Sequence, residues 1–239
     1  MKSEKIKHLI LGVSLVLFSI VGFEYAASES SLGELTDLAD QYGTDKGSRG
    51  HSFTEVYEYF FRPIKYKASK ICEIGIAEGA SLKMFRDYFP KAVCYGIDIN
   101  DSFWLKSGAI KTFIADQANR EQLKDFIDTY GDDFDVILDD GGHTMEQQQV
   151  SFGYLFKYLK PSGYYIIEDV HTSLDDSYTV EENEENTTLR MINGFIRNGK
   201  IKSEYMTIEE ENYLIDSIEY CNLLSRNEGN SITCIFKKR

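Results

Sequence analysis

The stretch KICEIGIAEGASL, residues 70–82, decides the fold. Its first half is a short continuous apolar run, long enough for one buried strand, and Gly75 then breaks it. After Gly79 the residues SLKMFRDYF take up helical spacing until Pro90 stops them. Strand, glycine turn and helix in that order form the first half of a βαβ unit. The turn is not G-x-G-x-x-G, because Ala77 stands where the second glycine would be. A pyrophosphate needs that glycine for close backbone approach, so NAD and FAD are disfavoured. A phosphate loop ending in G-K-[ST] is absent as well.

Outward from this unit the same alternation repeats. AVCYGIDI, KTFIADQ, FDVILDD and GYYIIEDV read as further strands, so five are expected near 71–75, 93–98, 111–115, 134–139 and 164–168. EQLKDFIDTYG and QQQVSFGYLFKYL read as the helices between them, and the series implies a parallel sheet. Upstream, SSLGELTDLADQYG starts with serine caps and places Leu32, Leu35, Leu38 and Ala39 on one stripe. SFTEVYEYFFRPI is a second amphipathic helix, stopped by Pro63. Downstream come the acidic run EENEENTT, a helix at TLRMINGFI, and two strand-like runs, SIEYCNLLS and SITCIFKK, joined by RNEGN. That pair predicts a hairpin and an antiparallel edge.

The charge balance narrows the partners. With 39 acidic against 26 basic residues the net charge is −13, which repels a phosphate backbone unless a basic patch is concentrated somewhere. Lysine and arginine cluster only at Lys2, Lys5 and Lys7 and at Lys237, Lys238 and Arg239, so nucleic acid is not an expected partner. The first residues have the layout of a targeting segment: three lysines, an apolar run over 9–23, then small residues near Ala26 and Ser28. Residues 1–28 are therefore expected to be a signal peptide or N-terminal membrane anchor, and 29–239 one catalytic domain. Export or anchoring follows from that reading, with membrane contact confined to residues 9–23, and a cytoplasmic location is the alternative. Cys72, Cys94, Cys221 and Cys234 match no zinc spacing and read as buried apolar residues. A hairpin disulfide between Cys221 and Cys234 is the other reading, should the domain be exported.

Ligands of open parallel sheets bind beyond the carboxyl ends of the strands, so the residues just after each strand carry the chemistry. Glu73, Gly75 and Ser81 follow the first strand. Asp98 ends the second, where an acid accepts from a ribose diol, and Asp116 and Gln117 follow the third, beside an adenine. Together they describe a nucleoside site without phosphates. The fourth and fifth strands end in LDDGGH and IIEDVHTS. If these strands are neighbours, Asp140, Glu168 and Asp169 converge, and such carboxylates either rise in pKa or hold a cation among them. Oxygen ligands favour Mg²⁺, Mn²⁺ or Ca²⁺. Since strand side chains alternate, only one of Asp139 and Asp140 faces the ion, and Asp140 is the choice. His143, in a glycine-loosened loop, is the candidate general base, with His171 ranked below it.

These segments resemble a known family. YGTDKG, ICEIGIAEGASL, ADQ, DVILDDGGH and IIEDVHTS, over roughly 35–178, look like the S-adenosylmethionine-dependent sugar O-methyltransferases of the macrocin and mycinamicin type. The resemblance implies an α/β class I methyltransferase fold, a Rossmann-like three-layer sandwich whose mostly parallel seven-stranded sheet ends in a C-terminal antiparallel hairpin. It implies S-adenosyl-L-methionine and Mg²⁺ as cofactors, the ion on Asp140, Glu168 and Asp169, and His143 as the catalytic base. Glu73, Gly75 and Ser81 would line the methionine portion, Asp98 the ribose, and Asp116 with Gln117 the adenine. Tyr42, Thr44 and Asp45 would close over the cofactor, and Lys46 would meet its carboxylate or pair with Asp45. The implied acceptor is a hydroxyl of a sugar-containing small molecule, and homo-oligomers are compatible with the resemblance. A catechol-like diol is the alternative acceptor, and a metal-assisted hydrolase the alternative from another reaction class.

Overall fold

A computed structural model describes residues 33–175, 177–178, 186–226 and 231–239. The expected targeting segment, the acidic run over 181–185 and most of the RNEGN turn lie outside the described residues. In chain order the elements are α1 (Glu34–Tyr42), α2 (Phe53–Phe61), β1 (Lys70–Ile74), α3 (Ala80–Tyr88), β2 (Val93–Asp98), β3 (Ile110–Ile114), α4 (Arg120–Tyr130) and β4 (Phe134–Asp139). Then follow α5 (Met145–Leu155), β5 (Leu159–Ile167), α6 (Thr188–Asn198), α7 (Ile208–Ser217), β6 (Ile218–Ser225) and β7 (Ile232–Lys238). Short 3₁₀ turns at Phe103–Leu105, Phe156–Tyr158 and Val170–Leu174 fill three of the connections.

The seven strands form one sheet in the order β3-β2-β1-β4-β5-β7-β6. β1 to β5 are parallel, β7 is antiparallel to β5 and to β6, and β6 is the outer edge. This is the class I methyltransferase arrangement expected from the sequence, with the strand order reversing between β1 and β4. α1, α2 and α3 cover one face, where Leu35, Tyr57, Phe61 and Phe85 pack on Ile71, Val136 and Ile166. α4 to α7 cover the other, where Leu123, Phe126, Phe152 and Leu214 pack on Cys72, Ile137 and Tyr165.

Three local readings change. α1 has Gly33 at its N-cap and no side-chain cap, rather than a serine. The Leu35 amide donates instead to Glu58 on α2 at 3.2 Å, so a neighbouring helix satisfies what a cap would have. β5 begins five residues before its expected start and runs through Pro161 and Gly163, with its register against β4 shifting between Phe134 and Val136. α7 was not expected at all. It opens on a capping box at Thr207 and Glu210, and β6 follows it directly. The cysteines keep to the first of their two expected readings: all four are free thiols, and Cys72, Cys94 and Cys234 are buried. Cys221 lies opposite Phe236 and Cys234 opposite Leu223, so the hairpin places the two thiols diagonally rather than face to face. Among the described residues no helix is long and apolar enough to cross a membrane.

Candidate active site

The alternation of strand side chains sorts the acids before any packing is considered. In β1, Ile71 faces the α1–α3 layer, so Glu73 does too. In β4 and its extension Val136, Leu138 and Asp140 share that parity, and in β5 Tyr164, Ile166 and Glu168 do. Asp139 points the opposite way. There it accepts from Gln117 Nε2 at 2.9 Å and from the Ser151 hydroxyl, with Tyr165 at 3.5 Å. Burial pushes its carboxyl up to about 7, against the pull of the Ser151 and Gln117 hydrogen bonds. Asp139 is thus a structural acid and Asp140 faces the site, as the alternation required.

Beyond the ends of β1, β2 and β4 lies a cavity of about 560 Å³, lined by Thr44, Gly75, Ser81, Asp98, Asp116, Gln117 and Asp140 among others. Asp98 accepts the amides of Ile76 and Asn100, both at 2.8 Å, and so folds the β1–α3 turn onto the end of β2. Gly75 has φ +86°, and a Cβ there would stand 2.0 Å from the Asp140 carbonyl oxygen. The close approach of β1 and β4 therefore demands glycine at this position. Ala77 adopts φ +44°, a left-handed strain carried by a non-glycine residue at the cavity wall. Gln117 spends its amide on Asp139 and on the Gly142 amide, at 2.9 and 2.7 Å, so it shapes the wall. α3 begins at Gly79 without a side-chain cap, and Ala80 and Ser81 in its first turn line the cavity.

Three of the residues proposed for the cofactor or its neighbourhood sit differently from expectation. Tyr42 does not line the cavity. Its hydroxyl donates to Asp87 and accepts from Arg86 at 3.0 Å, tying α1 to α3. Glu73 is fully buried and is not among the residues of the cavity wall, with the Ser81 hydroxyl as its polar neighbour. Burial pushes its carboxyl up to about 8, with the Lys46 charge opposing. Lys46 does not pair with Asp45 but reaches acids beyond the ends of β4 and β5. It is 1% exposed, and its ammonium donates to Asp140 Oδ2 and to Glu168 Oε2, the latter at 2.9 Å. Although burial works against its charge, these two acids and Glu73 hold its pKa well above the ordinary lysine range.

The acid cluster is therefore divided. Glu168 faces Lys46 and Tyr57, whose hydroxyl donates to Oε1 at 2.6 Å. Asp140, His143 and Asp169 each offer a ligand atom, and those atoms lie within 4.8 Å of one another. Asp169 takes φ +52° at the start of the 3₁₀ turn, which swings its carboxylate between two imidazoles. His143 Nε2 is 3.5 Å from Oδ2 and His171 Nδ1 is 3.7 Å from Oδ1. Thr172 fixes the His143 loop by donating to its carbonyl oxygen at 2.9 Å. Lys46 was singled out for other partners, and Tyr57 and Thr172 were not singled out by the sequence. Tyr57 had a signal, being the polar-tipped member of the Phe53, Tyr57, Phe61 stripe.

Comparison with known proteins agrees with this geometry. The chain is 35% identical over 155 residues to the 8-demethyl-8-alpha-L-rhamnosyl tetracenomycin-C 2'-O-methyltransferase of Streptomyces olivaceus, covering 62% of this chain and 40% of that protein. It is 34% identical over 147 residues to the mycinamicin VI 2''-O-methyltransferase of Micromonospora griseorubida, covering 59% and 37%. The solved structure of the MycE methyltransferase from the mycinamycin biosynthetic pathway, in complex with Mg and SAH, superposes with a TM-score of 0.72 at 25% identity, over 99% of this chain and 62% of that one. The chain is similar in sequence to sugar O-methyltransferases of the macrocin and mycinamicin type and has the class I methyltransferase fold. It spans about two fifths of the length of the curated relatives it matches. No family model matches it.

Proposed function

We propose that this methyltransferase relative is an S-adenosylmethionine- and Mg²⁺-dependent O-methyltransferase acting on a hydroxyl of a sugar or glycosylated small molecule. One observation carries the reading: Asp140 belongs both to the wall of the cavity and to the Asp140, His143, Asp169 group, so a cofactor site and a cation site adjoin. The cavity's volume suits a small molecule. Among the described residues Lys46 is the sole basic member of its lining and is already paired with acids, which suits a nucleoside without phosphates. Asp98 and Asp116, both in the lining, would meet its ribose and adenine ends.

Carboxylate oxygens with open positions fit Mg²⁺, which commonly takes one or two carboxylates and completes its shell with water and substrate. Asp140 and Asp169 would hold it, with Glu168 behind Asp140 across Lys46. When bound, the cofactor supplies an electrophilic methyl on a good leaving group, and the ion lowers the pKa of a coordinated hydroxyl. The protein's own work is then positional and protonic. His143 accepts the hydroxyl proton on its imidazole, and Asp169, 3.5 Å from Nε2, neutralises the imidazolium that results. A hydrolase reading would leave Asp98 and Asp116 with nothing to hold.

The test is transfer of label from methyl-labelled S-adenosylmethionine to a panel of glycosides, with Mg²⁺ and with chelator. Methylation of a sugar hydroxyl that chelator abolishes is the expected result. Failure of calorimetry to detect cofactor binding at millimolar concentration would sink the reading. Export or anchoring through the basic start and apolar run of residues 1–23 is part of the same proposal, and fractionation with a mass measurement of the mature N-terminus tests it.

A further inference from the structure

Lys46 has no task in the chemistry above, yet it is one of the largest fully buried side chains among the described residues. A buried ammonium is costly unless it is paired and hydrogen-bonded on all sides. Here Asp140 and Glu168 both accept from it, and Tyr57 holds the second oxygen of Glu168. Asp140 is at the same time one of the three groups able to hold a cation. A fixed cation and an exchangeable one would therefore share the same carboxylate.

We propose that Lys46 is a positioning residue, the built-in counter-cation of the acid cluster. It holds Asp140 and Glu168 in place before the divalent ion arrives, and it limits how tightly that ion binds. This inference rests on the metal-dependent reading above. Its physical basis is that Asp140 and Glu168, close together and largely out of water, repel each other unless a positive charge lies between them. The Lys46 ammonium supplies that charge at all times. An ion sharing Asp140 with the ammonium is its near neighbour, and the two like charges repel at short range.

Mn²⁺ titration by calorimetry on the full chain, with thermal unfolding in chelator and in Mn²⁺, separates the possibilities. Lys46→Met is expected to bind Mn²⁺ at least about tenfold tighter than wild type, or about 1.4 kcal/mol. It is also expected to melt lower in chelator and to regain most of that loss when Mn²⁺ is added. Lys46→Arg, which keeps the charge, should stay close to wild type in both measurements. A Lys46→Met protein that folds only with Mn²⁺ supports the proposal, because the ion then replaces the ammonium. Folded Lys46→Met with unchanged or weaker Mn²⁺ affinity overturns it, as does a variant that Mn²⁺ cannot fold. Wild type that binds no Mn²⁺ would instead remove the metal reading itself, a result that does not depend on the variant.

Discussion

Glu73 and His143 carry the two predictions that belong to single residues. His143→Ala should lower methyl transfer by about 10²- to 10⁴-fold, the usual range for a general base. Cofactor affinity should hold, since His143 is outside the cavity wall; parallel rate and calorimetric measurements check both. Glu73 is neutral in the fold up to about pH 8, whereas in the unfolded chain it ionises near 4.5. Between those values the unfolded chain releases a proton that the fold retains, so stability falls as pH rises through that window. Glu73→Gln should leave stability unchanged near pH 4 and exceed wild type by up to a few kcal/mol at pH 9, at about 1.4 kcal/mol per unit of pKa shift. Urea unfolding across pH reads this directly, and a constant difference between the two proteins would refute it. Lys46 shows why single residues resist reading from sequence. Its loop suggested a cofactor carboxylate or Asp45 as the partner, and only the packing of α2, through Tyr57, encloses it among acids distant in the chain.

At the scale of the element, the β1–α3 turn does most to shape the cavity. Gly75→Ala should lose at least about 1–3 kcal/mol from the left-handed backbone alone, and more from contact with the Asp140 carbonyl. Cofactor binding should weaken with it, and denaturant titration with calorimetry measures the pair. Elements bounded by glycine or proline were legible, because the break in periodicity is written in the residues themselves. β1 to β4 fall within a residue of their expected ends, and β1 and β4 have a glycine just beyond, Gly75 and Gly141. α7 was not legible. Within it only Glu211 and Leu214 are buried, too little for an apolar stripe, and the strand β6 begins without a punctuating residue. The extended start of β5 was hidden similarly, since Pro161 and Gly163 argue for a turn and the pairing there is supplied by β4.

For the whole molecule, the sheet separates two cores. Phe152 on α5 meets Phe156, Tyr165 and Phe236 at ring separations of 5.5, 5.0 and 4.5 Å, joining one helix layer to β5 and β7. Phe152→Ala should cost about 3–5 kcal/mol, seen as a lower urea midpoint, while cofactor affinity in the folded protein changes little. The acidic composition, first a statement about which partners to exclude, resolves here into a spatial sorting by strand parity. Asp140 holds the two halves of the site together: its carbonyl oxygen presses against Gly75 at the cavity, and its carboxylate is gripped by Lys46 beside the cation group. In the proposed enzyme such a residue would link the two occupancies thermodynamically. Whatever displaces Asp140 from the cavity side alters what the cluster offers an ion, and reciprocity requires the ion to alter cofactor affinity by the same factor.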